Sequence, residues 1–300
     1  MSKWDVEYIK LCKKILEEGI ENENRTGINT IKLPSYHLHF DLGEEFPVLT
    51  TKQLYFKAAI IEMLWIYQAK SNDVRWLQER GVKIWDEWEI SEDGYWRAEQ
   101  MVPNEKGILE KKQIEKYFGE EWAHTIGTAY GWIVDKFGLT DELIDKIKNN
   151  PNDRRMIMSL WQNDYIPTAV LPSCVWSSEW DVTDGKLNCW VHQRSCDVPL
   201  GVPFNITQYA TLLCLLSHVT GLEPGTLDWS MKDAHIYTNQ VEGIKEQIKR
   251  FEEQGHLPAP ELWINPEVND FFEVDNSREL KDIKIKKYKH MGPIKFPIAQ

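Results

Sequence analysis

An Asp184-Gly185 pair set between VWSSEWDV and KLNCWVHQ constrains this chain more than any other feature. Both arms carry aromatic and β-branched residues in rough alternation, and Asp-Gly supplies the positive-φ positions that a type I′ turn demands, so the spacing predicts a β-hairpin. Residues equidistant from such a turn face each other. Cys174 and Arg194 each stand about ten positions from it, which makes them cross-strand neighbours. A guanidinium beside a thiol lowers its pKa and raises the thiolate fraction. Taken alone, a strand cysteine is usually a small core hydrophobe. Asn205, which follows Pro203-Phe204 and precedes ITQYATLLCLLSHVTG, has an equally ordinary reading as a helix cap.

With 300 residues, 42% of them hydrophobic, and no linker-like stretch, one domain spanning residues 1–300 around a substantial core is expected. The net charge of -12 argues against a nucleic-acid-binding surface, so any anionic substrate needs a locally basic site. No apolar run reaches membrane-spanning length and MSKWDVEYIKLCKK lacks a signal-peptide core, so a soluble, cytoplasmic protein is expected. Five cysteines without CxxC spacing suit a reducing compartment and no metal site.

Periodicity supplies the other elements. Trp4, Tyr8, Leu11, Cys12 and Ile15 form a helical stripe that ends at Gly19, and TIKLPSYHLHFDL alternates as a strand in which His37 and His39 are structural. Phe56, Ala59, Ile60, Met63, Leu64 and Tyr67 mark a helix that begins at Lys52 or Gln53, with Glu62 beside its buried stripe. A turn at Pro-Asn-Asp opens into the strand RMIMSLWQ. In LDWSMKDAHIY, Asp233, His235 and Tyr237 alternate onto one strand face.

The string QRSCDVPLGVPFN, a PSC whose cysteine lies 19 residues before its Gln, and an Asp-Arg-Arg further upstream strongly resemble the thymidylate synthase family. RTG near the N-terminus, the E-x-L-W at Glu62, IWDEW, YG at Tyr130 and D-x-H-x-Y occur in the same order, so the resemblance covers nearly the whole chain. It implies an α/β fold with a large mixed, mainly antiparallel sheet flanked by helices, two subunits packing their sheets back to back. It also implies reductive methylation of dUMP by 5,10-methylenetetrahydrofolate, without a metal.

The resemblance gives roles to individual residues. Cys174 adds to uracil C6, Asn205 holds the base edge, Tyr130 takes part in removing the C5 proton, and Glu62 organises water and assists proton transfer to and from the folate. Arg25, Gln193, Arg194 and Ser195 contact the nucleotide, His235 and Tyr237 its deoxyribose, and Arg154 and Arg155 fork onto the phosphate in the partner subunit's site. Lys52 meets the glutamate tail of the folate, Trp85 packs beside pyrimidine and folate, and Asp197 hydrogen-bonds the pterin. Gly201 allows close backbone approach, and Ala299 belongs to a C-terminal lid.

Four departures from the family pattern stand out. Ser173 and Val175 flank the cysteine where proline and histidine are usual, Gln300 replaces an apolar last residue, and an insertion occupies about residues 90–125. Its charged part, ILEKKQIEKYFGEEW, is expected to be a solvated helical appendage. Two alternatives stay open: a deoxyuridylate hydroxymethylase, in which water replaces hydride, and a catalytically silent nucleotide-binding homologue.

Overall fold

A computed structural model describes residues 2–103, 109–255 and 257–298. In chain order it comprises α1 (Lys3–Glu18), β1 (Ile20–Asn22), β2 (Thr30–Asp41), α2 (Phe56–Tyr67), α3 (Val74–Glu79), β3 (Tyr95–Pro103) and β4 (Leu109–Tyr117). There follow α4 (Gly131–Phe137), α5 (Leu139–Asn149), β5 (Ile157–Ser159), β6 (Val175–Thr183), β7 (Lys186–Gln193) and β8 (Cys196–Asp197). The chain continues through α6 (Gly201–Thr220), β9 (Glu223–Tyr237), α7 (Val241–Gln254), β10 (Glu261–Ile264) and β11 (Ile283–Lys286).

Among the described residues the main sheet runs β1-β2-β9-β7-β6-β5, with β8 also paired to β9. Pairing is parallel where β9 meets β7 and β8 and antiparallel elsewhere, which is the mixed, mainly antiparallel sheet expected. β6 and β7 are the two arms around Asp184-Gly185, and both turn residues have positive φ. The register pairs Val175 with Gln193, and the Arg194 N–H donates to the Cys174 carbonyl at 2.9 Å, so Cys174 and Arg194 are cross-strand neighbours as their equal distance from the turn requires. An irregularity between Val175 and Ser177 bulges β6 directly after the cysteine.

Helices cover one face of the sheet. α1 turns Trp4, Tyr8, Leu11, Cys12 and Ile15 inward, as its stripe requires. α6 packs on β9 and β7, and α2 packs on α6. Sandwiched in this way, α2 is buried at every position from Ala59 to Tyr67, including Glu62. On the opposite face of the sheet Trp176 and Trp190 stay exposed, with the His192 ring 5.6 Å from each.

Four local expectations change. The insertion is a two-stranded antiparallel hairpin, β3 with β4, in register Ala98↔Ile114, instead of a charged helix. Its Lys112, Ile114 and Lys116 share one face, a period of two that a reading by charge alone overlooks. α6 begins four residues before Asn205, with Pro203 in the first turn where no intrahelical N–H is needed, so Asn205 is interior and not a cap. α2 begins at Phe56 instead of Lys52 or Gln53, and only Ile157–Ser159 of RMIMSLWQ pairs as a strand.

Candidate active site

One cavity of about 510 Å³ opens where the bulged end of β6 meets the C-terminal end of β9. Cys174, Arg25, Arg194, Ser195, His235 and Tyr237 all line it. Arg194 Nη2 lies 4.0 Å from Cys174 Sγ, while the rest of that guanidinium is pinned by the carbonyls of Ser173 (3.0 Å from Nε) and Pro172 (2.6 Å from Nη2). Trp161 lies beneath it, 5.3 Å from ring centre to Cζ. The expected lowering of the thiol pKa is outweighed: burial pushes the half-buried Cys174 up, and Arg194, Tyr130 and Arg25 only partly offset this. In the resting protein the sulfur is therefore held as a thiol poised beside cations.

Tyr130 does not line the cavity but stands against the backbone of Cys174. Its backbone sits at φ 47°, a left-handed conformation that is strained for a bulky residue, directly before Gly131. A Cβ at Gly131 would lie 1.9 Å from the Ser71 carbonyl oxygen, so only glycine lets the chain turn into α4 here. The strained backbone brings the Tyr130 hydroxyl to accept the Cys174 N–H at 3.0 Å, and burial raises its pKa well above the phenolic range.

Behind the cysteine runs a chain of side-chain hydrogen bonds. Trp229 Nε1–H donates to Gln193 Oε1 (2.9 Å), Gln193 Nε2 to Asn205 Oδ1 (3.2 Å), and Asn205 Nδ2 to Gln208 Oε1 (3.0 Å). Gln208 Nε2 then donates to Glu62 Oε2, and Trp85 Nε1–H donates to Glu62 Oε1 at 2.6 Å. Gln208 and Glu62 are both buried. Burial raises the Glu62 pKa to about 7 against the pull of those two donors. Asn205 and Gln208 meet because residues three apart on a helix are neighbours. That spacing was the only signal for Gln208, and neither it nor Trp229 was anticipated.

On β9, Asp233 has φ 56°, and His235 Nδ1 bonds its carbonyl oxygen at 2.8 Å. Burial lowers the His235 pKa, but the Asp233 bonds and the charges of Asp197 and Asp233 leave it raised. His235 Nε2 is buried at the cavity without a partner among the described residues. Asp197 accepts from Leu200 N at 3.0 Å and from Gln240 Nε2 at 3.3 Å, which leaves acceptor capacity free, and burial raises its pKa. Gly201 faces this group: a Cβ there would lie 3.6 Å from Asn205 Oδ1.

Other expected residues lie elsewhere. Lys52 is buried, donates to the Pro199 carbonyl and sits 4.8 Å from the Phe296 ring centre, so its ammonium does not reach the cavity; burial lowers its pKa to about 8. The Trp85 ring packs on Trp65, Trp88 and Tyr130, and it is Trp88 that lines the cavity. Arg154 and Arg155 are exposed beside β5 and do not line the cavity, with Arg155 paired to Asp153 at 2.9 Å. Ala299 lies outside the described residues. The inserted hairpin contributes Trp96, Gln100 and Ile114 to the cavity wall, so it is more than a solvated appendage. Among the described residues no cluster suited to a metal ion occurs, and no helix is long and apolar enough to cross a membrane.

The family model described as thymidylate synthase matches residues 6–300. The chain is 46% identical over 299 residues to the thymidylate synthase of Clostridium beijerinckii, and 36% identical over 318 aligned positions to thymidylate synthase 1 of Bacillus spizizenii, with all of each chain covered. Its fold is similar to that of the solved thermostable thymidylate synthase A from Bacillus subtilis, with a TM-score of 0.80, 35% identity and 99% of both chains covered. A cavity that holds a thiol beside a guanidinium on this sheet, and a family match across almost the whole sequence, lead to one assignment: the chain belongs to the thymidylate synthase family and has its methyltransferase function.

Proposed function

We propose that this chain converts dUMP to dTMP through a covalent bond from Cys174 Sγ to uracil C6. The ring accepts a nucleophile at C6 only if charge can move onto O4, so a donor must wait there. Asn205 Nδ2 has a second N–H beyond the one given to Gln208, and Asn205 Oδ1 has a second lone pair beyond the one accepting from Gln193. In this reading those two free positions meet O4 and N3–H of the uracil. Arg25, Arg194 and Ser195 take the phosphate, His235 Nε2 and the Tyr237 hydroxyl take the deoxyribose, and the Tyr130 hydroxyl stands beside Cys174 to assist removal of the C5 proton.

When bound, 5,10-methylenetetrahydrofolate supplies the methylene carbon and the hydride and leaves as dihydrofolate. The residues present fit it: Trp88 offers a flat wall, Asp197 has acceptor capacity for a pterin N–H, and Gly201 leaves room beside both. Trp85 supports that wall from behind. Glu62, with a pKa near neutrality, exchanges protons with the folate nitrogen and the ordered water around it. Lys52 would have to leave Pro199 to reach a glutamate tail, and Ala299 would close the site with the C-terminus. The enzyme acts as a cytoplasmic homodimer in which Arg154 and Arg155 complete the partner's phosphate site.

The observation that carries the reading is a cavity-lining thiol 4.0 Å from a pinned guanidinium. Incubation with dUMP and methylenetetrahydrofolate should yield dTMP and dihydrofolate in equal amounts, and Cys174→Ser should yield neither. Hydroxymethyl-dUMP with tetrahydrofolate, or turnover by Cys174→Ser, would overturn the reading.

A further inference from the structure

We propose that Gln208 is a positioning residue that fixes the sense of the Asn205 amide, and that this sense selects uracil over cytosine. The proposal rests on the reading of Asn205 as the contact to the base edge. An amide is nearly symmetric in shape, so packing alone does not decide which end carries the oxygen. Hydrogen-bond polarity does.

The chain of bonds through Asn205 has a forced direction at both ends. Trp229 Nε1–H can only donate, so Gln193 must present Oε1 to it at 2.9 Å. The amino group of Gln193 then faces the Asn205 oxygen at 3.2 Å, and it is held there by a second acceptor, the Ser195 carbonyl, also at 3.2 Å. At the other end Trp85 Nε1–H occupies Glu62 Oε1 at 2.6 Å, and once Glu62 is ionised, above about pH 7, its remaining oxygen can only accept and draws the amino group of Gln208. Gln208 must therefore offer Oε1 to Asn205, and Asn205 answers with Nδ2 at 3.0 Å. Reversing Asn205 would set two amino groups against each other on the Gln193 side and two oxygens on the Gln208 side. Gln208 is 4% exposed, so no solvent is at hand to relieve such a mismatch.

Uracil presents an acceptor at O4 and a donor at N3; cytosine presents a donor at N4 and an acceptor at N3. Asn205 in its fixed sense is complementary to the first edge, and the reversed amide is complementary to the second. Glu62 and Trp229 thus act on base choice without touching the base, through Gln208 on one side and Gln193 on the other.

The test measures binding of dUMP and dCMP to the full-length enzyme for wild type and for Gln208→Met, which keeps length and apolar bulk but has no strong donor or acceptor. The ratio of dCMP to dUMP dissociation constants should fall by roughly tenfold or more, the usual scale for losing one bidentate base pairing. Trp229→Phe, which keeps an aromatic ring and removes only the donor at the far end, should shift the ratio in the same direction, and it decides the matter if Gln208→Met does not fold. An unchanged ratio in a folded variant, with both affinities moved by the same factor, would reduce Gln208 to a packing role and overturn the proposal. Asn205→Asp separates this from failure of the underlying reading. It should favour dCMP if Asn205 reads the base, and an unchanged preference there would remove both ideas.

Discussion

At the scale of single residues the site is governed by what burial does to ionisable groups. The Cys174 pKa is raised by burial despite a guanidinium 4.0 Å away, so the group proposed as nucleophile rests as a neutral thiol. Cys174→Ser should retain dUMP binding within about threefold while turnover falls below detection, because a serine hydroxyl, with its far higher pKa, is a poor substitute for a thiol nucleophile; equilibrium binding and single-turnover assays check the two halves. Glu62 carries the opposite linkage from a salt-bridged acid, since its pKa rises from 4.5 to about 7 on folding. Below pH 4.5 it is protonated folded and unfolded alike, and above that value the unfolded chain releases the proton while the folded chain keeps it. Stability therefore falls as pH rises through this window, by up to about 3 kcal/mol relative to Glu62→Gln above pH 7. Denaturant unfolding of both proteins between pH 4 and pH 8 should show the difference, and parallel curves would contradict it.

At the scale of elements, the inserted hairpin is part of the cavity wall despite its charged composition. Trp96, Gln100 and Ile114 from β3 and β4 line the cavity together with Trp88, the flat wall proposed for the folate. Trp96 is fixed by its Nε1–H bond to the Glu87 carbonyl at 2.9 Å. Trp96→Ala should raise KM for methylenetetrahydrofolate about fivefold to tenfold, the cost of an exposed aromatic wall, and leave KM for dUMP nearly unchanged; initial-rate kinetics with each ligand varied would show it, and no change in either would return the hairpin to an appendage. The contrast with the β6–β7 hairpin is instructive. There Asp184-Gly185 and alternating arms state both turn and register, whereas β3 and β4 pair across a segment without such a dipeptide, and the many Lys and Glu residues of β4 mimic a solvated helix. Cys174 facing Arg194 was legible because register follows from counting. The link from Asn205 through Gln208 to Glu62 was not, because it joins α2 to α6, and the packing of two helices that are apolar nearly all round leaves no periodic trace of which faces meet.

At the scale of the whole molecule, the sheet leaves one face without helices, and its exposed side chains are wrong for solvent. Trp176, Trp190 and Ile157 are 38%, 48% and 52% exposed; the His192 ring lies 5.6 Å from both tryptophans, and His37, which bonds Asp228 at 3.0 Å as His39 does, lies 6.1 Å from Trp190. Contiguous exposed apolar patches are characteristic of protein contacts, and the proposed homodimer would bury this one twice if its two-fold axis passed through the sheet face. Arg154 and Arg155 fit that proposal, since they are exposed beside β5 and do not line the cavity, whose own arginines are Arg25 and Arg194. If they serve the partner's site, the double variant Arg154→Ala/Arg155→Ala and the variant Cys174→Ser are defective in different subunits' contributions to one site. Mixed by unfolding and refolding together, they form heterodimers in which one site unites intact Cys174 from one chain with intact arginines from the other, and the second site lacks both. With half the dimers mixed and one of two sites whole in each, activity should return to about a quarter of wild type. Arginines acting on their own subunit would leave the mixture as inactive as its components, so the recovered rate measures directly whether the catalytic unit is one chain or two.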